Sequence, residues 1–270
     1  MKELLRTIDA RLLHAAAGRR IAELRTAYSL RRPAADEQDH EQAMRRFYAQ
    51  FVSPGSLCFD VGANRGNRTR VLKALGARVV AVEPQVECAR LLAAAYCLDH
   101  RIRVVNAALG ASEGEAEIMI ASADTVSSLS WDWIEAVATS GRFSDILWER
   151  RELVRVTTLD KLIRAYGVPR FVKIDVEGFE HEVLRGLSSP VPYLSFEFTP
   201  EFGGNAYDSI DRLSHLSMGL FNYSQGESMR LALGAWVGAA ELKSVLSRLF
   251  ADDPMAFGDV YSAAEHRGRG

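Results

Sequence analysis

The sequence predicts an α/β protein with parallel strands at its centre. The first observation is an apolar run, Leu57 to Val61, that stops at Gly62 and is followed by a helical pattern over Thr69 to Leu75. The second is another apolar run, Val79 to Val82, that stops at Glu83. Strands that are apolar throughout are buried on both faces, which is typical of parallel sheets covered by helices. These patterns predict, in chain order, a strand, a loop, a helix and a second strand.

The loop after the first predicted strand has the features of a nucleoside-binding turn. Gly62 and Gly66 bracket it, and a residue without Cβ permits a positive φ or lets a ligand approach the backbone. Glu83 ends the next strand, where an acid can accept both hydrogen bonds of a ribose diol. NAD enzymes use GxGxxG, and this chain lacks the second close glycine. Asp60 favours a ligand with positive charge near the turn over one with phosphate, and S-adenosylmethionine is such a ligand.

The next elements continue the alternation of helix and strand. Cys88 to Leu98 is rich in alanine and leucine and predicts a helix, and Ile102 to Val105 predicts a third strand. The strand ends at Asn106 and Ala107. Asn106 can offer a donor and an acceptor to a purine edge, or its side chain can brace the turn, and the sequence leaves both alternatives open.

The segment from Gly110 to Gly167 is too long for a simple connection. Apolar alternation in Glu115 to Ile120 and in Leu153 to Thr157 predicts added strands within it. Between them lie Trp131 and Trp133, which either form a lid over a substrate pocket or pack against the domain.

A second cluster of chemical groups follows the predicted strand Phe171 to Ile174. Asp175 and Glu177 come directly after it and share one side if the chain stays extended. If a helix starts by Gly178, Glu177 and His181 are one turn apart and close enough to interact. Asp175, Glu177 and His181 are therefore our candidates for catalysis. In the alternative interpretation the acids stabilise a helix start and His181 is a surface or packing residue.

Glu197 is a third acid at this edge of the sheet, near the end of the apolar run Tyr193 to Phe196. A buried carboxylate without a partner is unfavourable, so we expect it to accept a hydrogen bond, bind substrate or join a metal site. Oxygen ligands suit divalent cations. Asp175, Glu177 and Glu197 are the candidate metal ligands, and the need for a metal stays open.

Six runs in this order resemble the FkbM family of S-adenosylmethionine-dependent methyltransferases. The resemblance covers about Phe47 to Glu201, and the runs are FDVGANRGNRT, AVEPQ, VVNAALG, TLDKL, VKIDVEGFEHEVLRG and LSFEF. It implies a class I methyltransferase fold, which is a Rossmann-like, mainly parallel, seven-stranded sheet with helices on both faces. The residues that we predict to bind S-adenosylmethionine are Asp60, Gly62, Ala63, Asn64, Gly66, Glu83, Asn106 and Ala107.

The resemblance implies O-methylation of a small molecule, at a hydroxyl of a sugar or secondary metabolite. Because the methyl donor is already activated, the protein has to align the reactants and remove the hydroxyl proton. Asp175, Glu177 or His181 is the expected base. Two other classes remain open: a scaffold or sensor that binds the cofactor without turnover, and an NAD-dependent oxidoreductase, which the missing glycine disfavours.

Composition indicates an ordinary enzyme and excludes several classes of protein. The chain has 270 residues, 25% of them charged, with a net charge of −2, whereas general nucleic-acid binders present a cationic surface. Three cysteines without CxxC spacing predict neither a disulfide framework nor a zinc site, and favour a reducing compartment. No apolar segment approaches the about 20 residues that cross a bilayer, and the N-terminus lacks a signal-peptide core. We expect a cytoplasmic protein without membrane insertion or nucleic-acid partner.

We expect two parts in the chain. Residues 1–46 form an arginine-rich helical arm, and residues 47–270 form the methyltransferase domain, with inserted strands or a lid at about 110–167. The arm packs on the domain or on a partner subunit in a homo-oligomer, or forms a membrane-surface or targeting helix. Pro33 to Gln42 has the composition of a polar linker.

Overall fold

A computed structural model describes Thr26, Leu30 and residues 38–265 of the chain. The expected arm, residues 1–46, therefore lies largely outside the described residues. Its predicted roles, as a packing element or as a membrane-surface or targeting helix, stay predictions. In chain order the helices and strands are α1 (Gln38–Tyr48), β1 (Leu57–Val61), α2 (Asn67–Ala74), β2 (Arg78–Val82), α3 (Val86–Ala95), β3 (Ile102–Val105), β4 (Ala108–Leu109), β5 (Gly114–Ala121), α4 (Trp131–Ser140), β6 (Trp148–Thr157), α5 (Leu159–Tyr166), β7 (Phe171–Ile174), α6 (Glu180–Arg185), β8 (Tyr193–Phe198), α7 (Gly203–His215), β9 (Leu220–Gln225), α8 (Ala239–Asp252) and β10 (Gly258–Ala263).

The main sheet has seven strands in the order β3-β2-β1-β7-β8-β10-β9. Its neighbours pair in parallel from β3 to β8, and β10 is antiparallel to both β8 and β9. The expected α/β fold with a mainly parallel, seven-stranded sheet is confirmed. β1 and β7 lie side by side at the centre, so the loops that follow them leave from the same edge of the sheet.

Side chains of the central strands alternate between two hydrophobic cores, one on each face of the sheet. Phe59 and Val172 belong to the core under α5, α6, α7 and α8, whereas Cys58 and Phe171 belong to the core under α1, α2 and α3. Burial on both faces explains why these strands are apolar throughout. Among the described residues, no helix is both long and apolar enough to span a membrane.

Helix α1 packs in the core that it shares with α2 and α3. Phe47 packs on Tyr261 of β10, with ring centroids 5.1 Å apart, and Glu41 accepts a hydrogen bond of 2.6 Å from Nε of Arg70 in α2. α1 runs from Gln38 to Tyr48, so it crosses the expected boundary at residue 46. The prediction of a linker over Pro33 to Gln42 is wrong from Gln38 onward. These last residues form the first turn of α1, in which polar residues alternate with buried ones.

The two strands predicted in the long connection are present. β5 and β6 pair antiparallel, and β4 joins β6 in parallel to complete a second sheet of three strands. They are not a direct hairpin, since α4 lies between them in the chain. Trp131 is about half exposed, whereas Trp133 is buried against Ile134 and Val137, so the two tryptophans predicted as a lid or a packing element differ in role.

The closest approach at the centre of the sheet is made by Gly62, in the loop after β1. Its φ is +78°, and a Cβ built there would lie 1.8 Å from the carbonyl oxygen of Asp175, which follows β7. The amide of Asp175 in turn donates to the carbonyl of Val61 at 3.0 Å. Only a residue without a side chain fits between these two backbones, so Gly62 sets how closely the two loops approach.

We predict that Gly62→Ala destabilises the protein far more than Gly55→Ala. Both glycines have nearly the same φ, +78° and +82°, but no atom lies within 4 Å of a Cβ at Gly55. Each substitution should lower the free energy of unfolding by about 1–2 kcal/mol for the left-handed backbone. Gly62→Ala should lose about 1–3 kcal/mol more, because a backbone carbonyl must move. Urea denaturation measures both, and equal losses would contradict the assignment.

Candidate active site

A cavity of about 290 Å³ opens at the carboxyl ends of β1, β2, β7 and β8. This is close to the lower end of the volumes of small-molecule sites. The predicted cofactor residues that line it are Asp60, Gly62, Ala63, Asn64, Glu83 and Ala107. Gly66 and Asn106 do not line it.

The loop after β1 is held by its own backbone and by a buried acid. The amides of Gly62 and Ala63 both donate to the carbonyl of Val82, at 2.9 and 3.0 Å. Asp60 accepts a hydrogen bond from the hydroxyl of Thr69 in the first turn of α2. Burial raises the pKa of Asp60, and the hydrogen bond from Thr69 opposes that rise. Asp60 therefore fastens the loop to α2 while it also lines the cavity.

Glu83 is 2% exposed and sits at the end of β2. One carboxylate oxygen accepts from the amide of Asn64 at 2.7 Å, and the other accepts from the amide of Gln85 at 2.8 Å. Burial raises the pKa of Glu83 to about 7, although both backbone hydrogen bonds lower it. A carboxylate has about four acceptor sites, so Glu83, which lines the cavity, can also accept from a diol there.

Asn106 makes the bracing contacts of the second alternative that the sequence left open, and its contact with a purine stays a prediction. Its amide nitrogen donates to the carbonyls of Glu83 and Pro84, both at 2.9 Å, and its side chain is exposed. It braces the turn after β2. The neighbouring Ala107, which is buried, lines the cavity instead.

The turn after β7 is strained and held from three sides. Glu177 has a φ of +54°, a conformation that costs a residue with a side chain about 1–3 kcal/mol. Its carbonyl accepts a hydrogen bond from the hydroxyl of Ser128 at 2.5 Å. Gly178 lies directly under Trp133, and a Cβ there would be 2.3 Å from the indole. Glu180 accepts from the amide of Gly178 at 3.1 Å, and burial raises the pKa of Glu180 to about 7.

Asp175, Glu177 and Glu197 come together as predicted. Carboxylate oxygens of the three lie within 4.8 Å of one another, and all three residues line the cavity. Burial raises the pKa of Glu177 well above its usual value, and repulsion from Asp175 adds to the rise. Burial and repulsion from Glu177 do the same for Glu197. The set has the oxygen ligands that a divalent cation takes, and metal binding stays a prediction.

Asp175 differs from the two glutamates because a buried lysine faces it. Nζ of Lys173, which is 1% exposed, lies 3.2 Å from Asp175 and 2.9 Å from Asp259 of β10. Burial alone would raise the pKa of Asp175, but the charge of Lys173 more than offsets this effect and the pKa is lowered. Asp175 therefore remains ionised at the junction of cavity and sheet.

His181 does not join the other candidates. α6 begins at Glu180, so Glu177 lies outside the helix and the predicted contact of Glu177 with His181 one turn later does not form. His181 is absent from the cavity lining, and its buried Nδ1 has no partner among the described residues. The left-handed turn at Glu177 directs its carboxylate toward Glu197 instead.

A charged pair in the cavity wall was not predicted from the sequence. Arg68, in the first turn of α2, donates to Glu227 at 2.7 Å, and Glu227 also lies 3.3 Å from His40 of α1. Arg68 and Glu227 both line the cavity. A cation in the first turn of a helix is unfavourable to the macrodipole, and this was the available signal for Arg68. The position of Glu227 depends on β9 at the sheet edge, which no local pattern reveals.

The residues fit a nucleoside that carries positive charge. Asp60 and Glu83 offer acceptors at the β1 and β2 ends, and Leu109, Ile118 and Leu129 provide an apolar wall. An aromatic base can pack on such a wall while carboxylates accept from ribose and ammonium groups.

Several solved structures are similar to this chain at low sequence identity. Similar solved structures include a precorrin-6y C5,15-methyltransferase from Geobacter metallireducens GS-15 (8% identity, TM-score 0.43, 84% of this chain and 89% of that chain covered). Others are a putative O-methyltransferase from Klebsiella pneumoniae (9%, 0.42, 90% and 89%) and a putative rRNA-methylase from Clostridium thermocellum (8%, 0.39, 82% and 93%).

No curated protein matches the sequence. A family model, the Methyltransferase FkbM domain, matches residues 60–217. This range contains both the loop after β1 and the carboxylate cluster, and it covers more than half of the chain. The chain therefore belongs to the FkbM family of methyltransferases and uses S-adenosylmethionine.

Proposed function

We propose that this methyltransferase acts on a hydroxyl oxygen of a small neutral molecule, such as a sugar or a secondary metabolite. The observation that carries the proposal is the position of Asp175, Glu177 and Glu197. Their carboxylates line the same cavity as the loop after β1, on the side away from Glu83. Groups that accept protons thus stand next to the proposed site of the methyl donor.

The cofactor supplies a methyl group on a sulfonium, and when the methyl carbon bonds to the acceptor oxygen the electron pair of the broken C–S bond stays on sulfur. Glu83 is proposed to accept from the ribose hydroxyls, and the backbone around Ala63 and Asn64 to position the rest of the ligand. The carboxylate cluster orients the acceptor hydroxyl and takes its proton. Asn106 contributes indirectly, because its side chain holds the turn that carries Glu83.

Charge in the cavity supports a neutral acceptor. The cluster carries several acids, and within the described part of the chain Asp175 alone among them is paired with a lysine. A phosphate next to Glu177 and Glu197 would be repelled at short range. This supports the expectation that nucleic acid is not the substrate.

The proposal is tested by labelled methyl transfer. We expect purified protein to move label from S-adenosylmethionine to members of a panel of sugars and hydroxylated natural products, with a methyl ether as the product identified by mass spectrometry and NMR. Label on carbon, on nitrogen or on RNA would contradict O-methylation. Binding of S-adenosylmethionine without transfer to any acceptor would favour the scaffold alternative, and selective binding of NAD would favour the oxidoreductase.

Cofactor binding gives a second prediction. Glu83→Gln should weaken binding of S-adenosylmethionine by about 10- to 100-fold, because hydrogen bonds to a charged acceptor are lost in a buried site. Glu87→Gln is the matched control, since Glu87 is exposed in the first turn of α3 and does not line the cavity. Calorimetry with both variants measures the effect. Wild-type affinity in a folded Glu83→Gln protein would rule out the ribose contact.

A pH dependence follows from the raised pKa of Glu83, which is about 7 in the free protein. Ribose hydroxyls donate to the ionised form, so a proton must leave before the ligand binds at lower pH. The affinity for S-adenosylmethionine should be constant above pH 7 and should fall by up to about tenfold per pH unit below it. Calorimetry across this range tests the slope, and in Glu83→Gln the slope should largely disappear. An equal slope in both proteins would assign the titration to another group.

We also propose a cytoplasmic location. No disulfide links Cys58, Cys88 and Cys97 to one another, as a reducing compartment favours. Homo-oligomerisation through the N-terminal arm stays a prediction, because most of that arm lies outside the described residues.

A further inference from the structure

The lining of the cavity contains many acids and few cations. Its carboxylates belong to Asp60, Glu83, Asp175, Glu177, Glu197 and Glu227. Among the described residues, the cations in the lining are those of Arg65 and Arg68. S-adenosylmethionine carries a carboxylate on its amino-acid end, in addition to a sulfonium and an ammonium. Carboxylates of the cavity repel that group at short range, so its binding requires a cation in the wall.

The order of the strands indicates where the amino-acid end of the ligand lies. Glu83, the proposed ribose contact, is at the end of β2, and β1 lies between β2 and β7 in the sheet. A ligand that extends from β2 toward β7 passes the loop after β1, and α2 begins directly after that loop, at Asn67. Asn67 and Arg68 both line the cavity. The first turn of α2 is therefore within reach of the amino-acid end.

The guanidinium of Arg68 has more donors than the protein has acceptors for it. The side chain is 18% exposed. Nη2 donates to Glu227 at 2.7 Å, and Nη1 contacts the thioether sulfur of Met44, a weak acceptor, at 3.4 Å. Nε is buried, and no group in the described part of the chain accepts from it. Buried donors without acceptors are unfavourable, so Arg68 is well suited to bind an anionic ligand.

The position of Arg68 does not stabilise the fold by charge. A cation in the first turn of α2 is opposed by the helix macrodipole. The two side chains that contact the guanidinium are Met44 of α1 and Glu227 after β9, and both lie outside the residues 60–217 that match the family model. The surroundings of this cation are therefore built from parts of the chain beyond the segment that the family shares.

We propose that the guanidinium of Arg68 binds the carboxylate at the amino-acid end of S-adenosylmethionine. A planar guanidinium matches a carboxylate in shape, and hydrogen bonds between charged groups are the stronger ones. Arg65, the other cation, is exposed, and water weakens an ion pair at an exposed position. The contact concerns the methyl donor alone and is independent of which acceptor is methylated.

The contact is tested by calorimetry with two ligands that differ in one group. S-adenosylhomocysteine keeps the amino-acid end, and S-adenosyl-3-thiopropylamine is the same molecule without the carboxylate. The wild-type protein should bind S-adenosylhomocysteine about 10- to 100-fold more tightly, because a hydrogen bond between charged groups is lost with the amine. In Arg68→Met the difference should shrink to about threefold or less, since only the ligand with the carboxylate loses its partner.

Further variants control for charge and for folding. Arg68→Gln removes the charge but keeps a donor for Glu227, so it should give the same loss and serves if Arg68→Met does not fold. Arg68→Lys keeps the charge without the planar fork and should retain part of the difference. Arg90→Met is the matched control, because Arg90 is exposed on α3 and does not line the cavity.

Three results would overturn the assignment. The first is a wild-type protein that binds both ligands equally, and the second is a wild-type difference in folded Arg68→Met or Arg68→Gln. The third is loss of the difference in Arg65→Met while Arg68→Met keeps it, which would assign the carboxylate to Arg65. These measurements involve no methyl transfer, so failure of this contact is distinguishable from failure of the proposed O-methylation.

Discussion

The site depends on one close backbone contact, between Gly62 in the loop after β1 and the carbonyl of Asp175 after β7. β1 and β7 are adjacent parallel strands, so their loops leave from the same edge of the sheet and lie close together. With no side chain at Gly62 the loops lie against each other. The loop after β1 contacts Glu83 through the amide of Asn64, and the loop after β7 carries Glu177, close to Glu197 of β8. The side of the cavity that we propose for the cofactor and the side that we propose for the acceptor are adjacent because of this contact.

Burial acts differently on the acids of this cavity because each has different partners. Glu83 is satisfied by backbone amides, and Asp60 is satisfied by a hydroxyl, so both can remain buried beside a cationic ligand. Lys173 keeps Asp175 ionised. Among residues 38–265, no group donates a hydrogen bond to the side chain of Glu177 or Glu197. The carboxyl edge of the sheet therefore carries acids that protein donors hold near Glu83 and acids without such donors near Glu197.

Local pattern predicted those parts of the site that depend on strand ends and glycines. The acids after β2 and β7, and Glu197 near the end of β8, lie where the apolar runs stop, because the end of a buried strand is also the end of its apolar sequence. Side-chain direction inside turns was not predictable. Glu177 takes a left-handed φ, which removed the expected contact with His181. The pair of Arg68 and Glu227 was also missed, since it joins segments that are distant in the chain and meet only through the sheet order.

The segment inserted between β4 and β6 supports the side of the cavity that carries Glu177 and Glu197, where we propose that the acceptor binds. Ser128 binds the carbonyl of Glu177, and Trp133 covers Gly178 so closely that no side chain fits there. These contacts hold Glu177 in a backbone conformation that it would not adopt alone. The same segment supplies Leu129 to the cavity wall. A change in this insertion can therefore alter both the shape of the acceptor pocket and the geometry of its carboxyl groups, while the loop after β1 and the acid after β2 remain as they are.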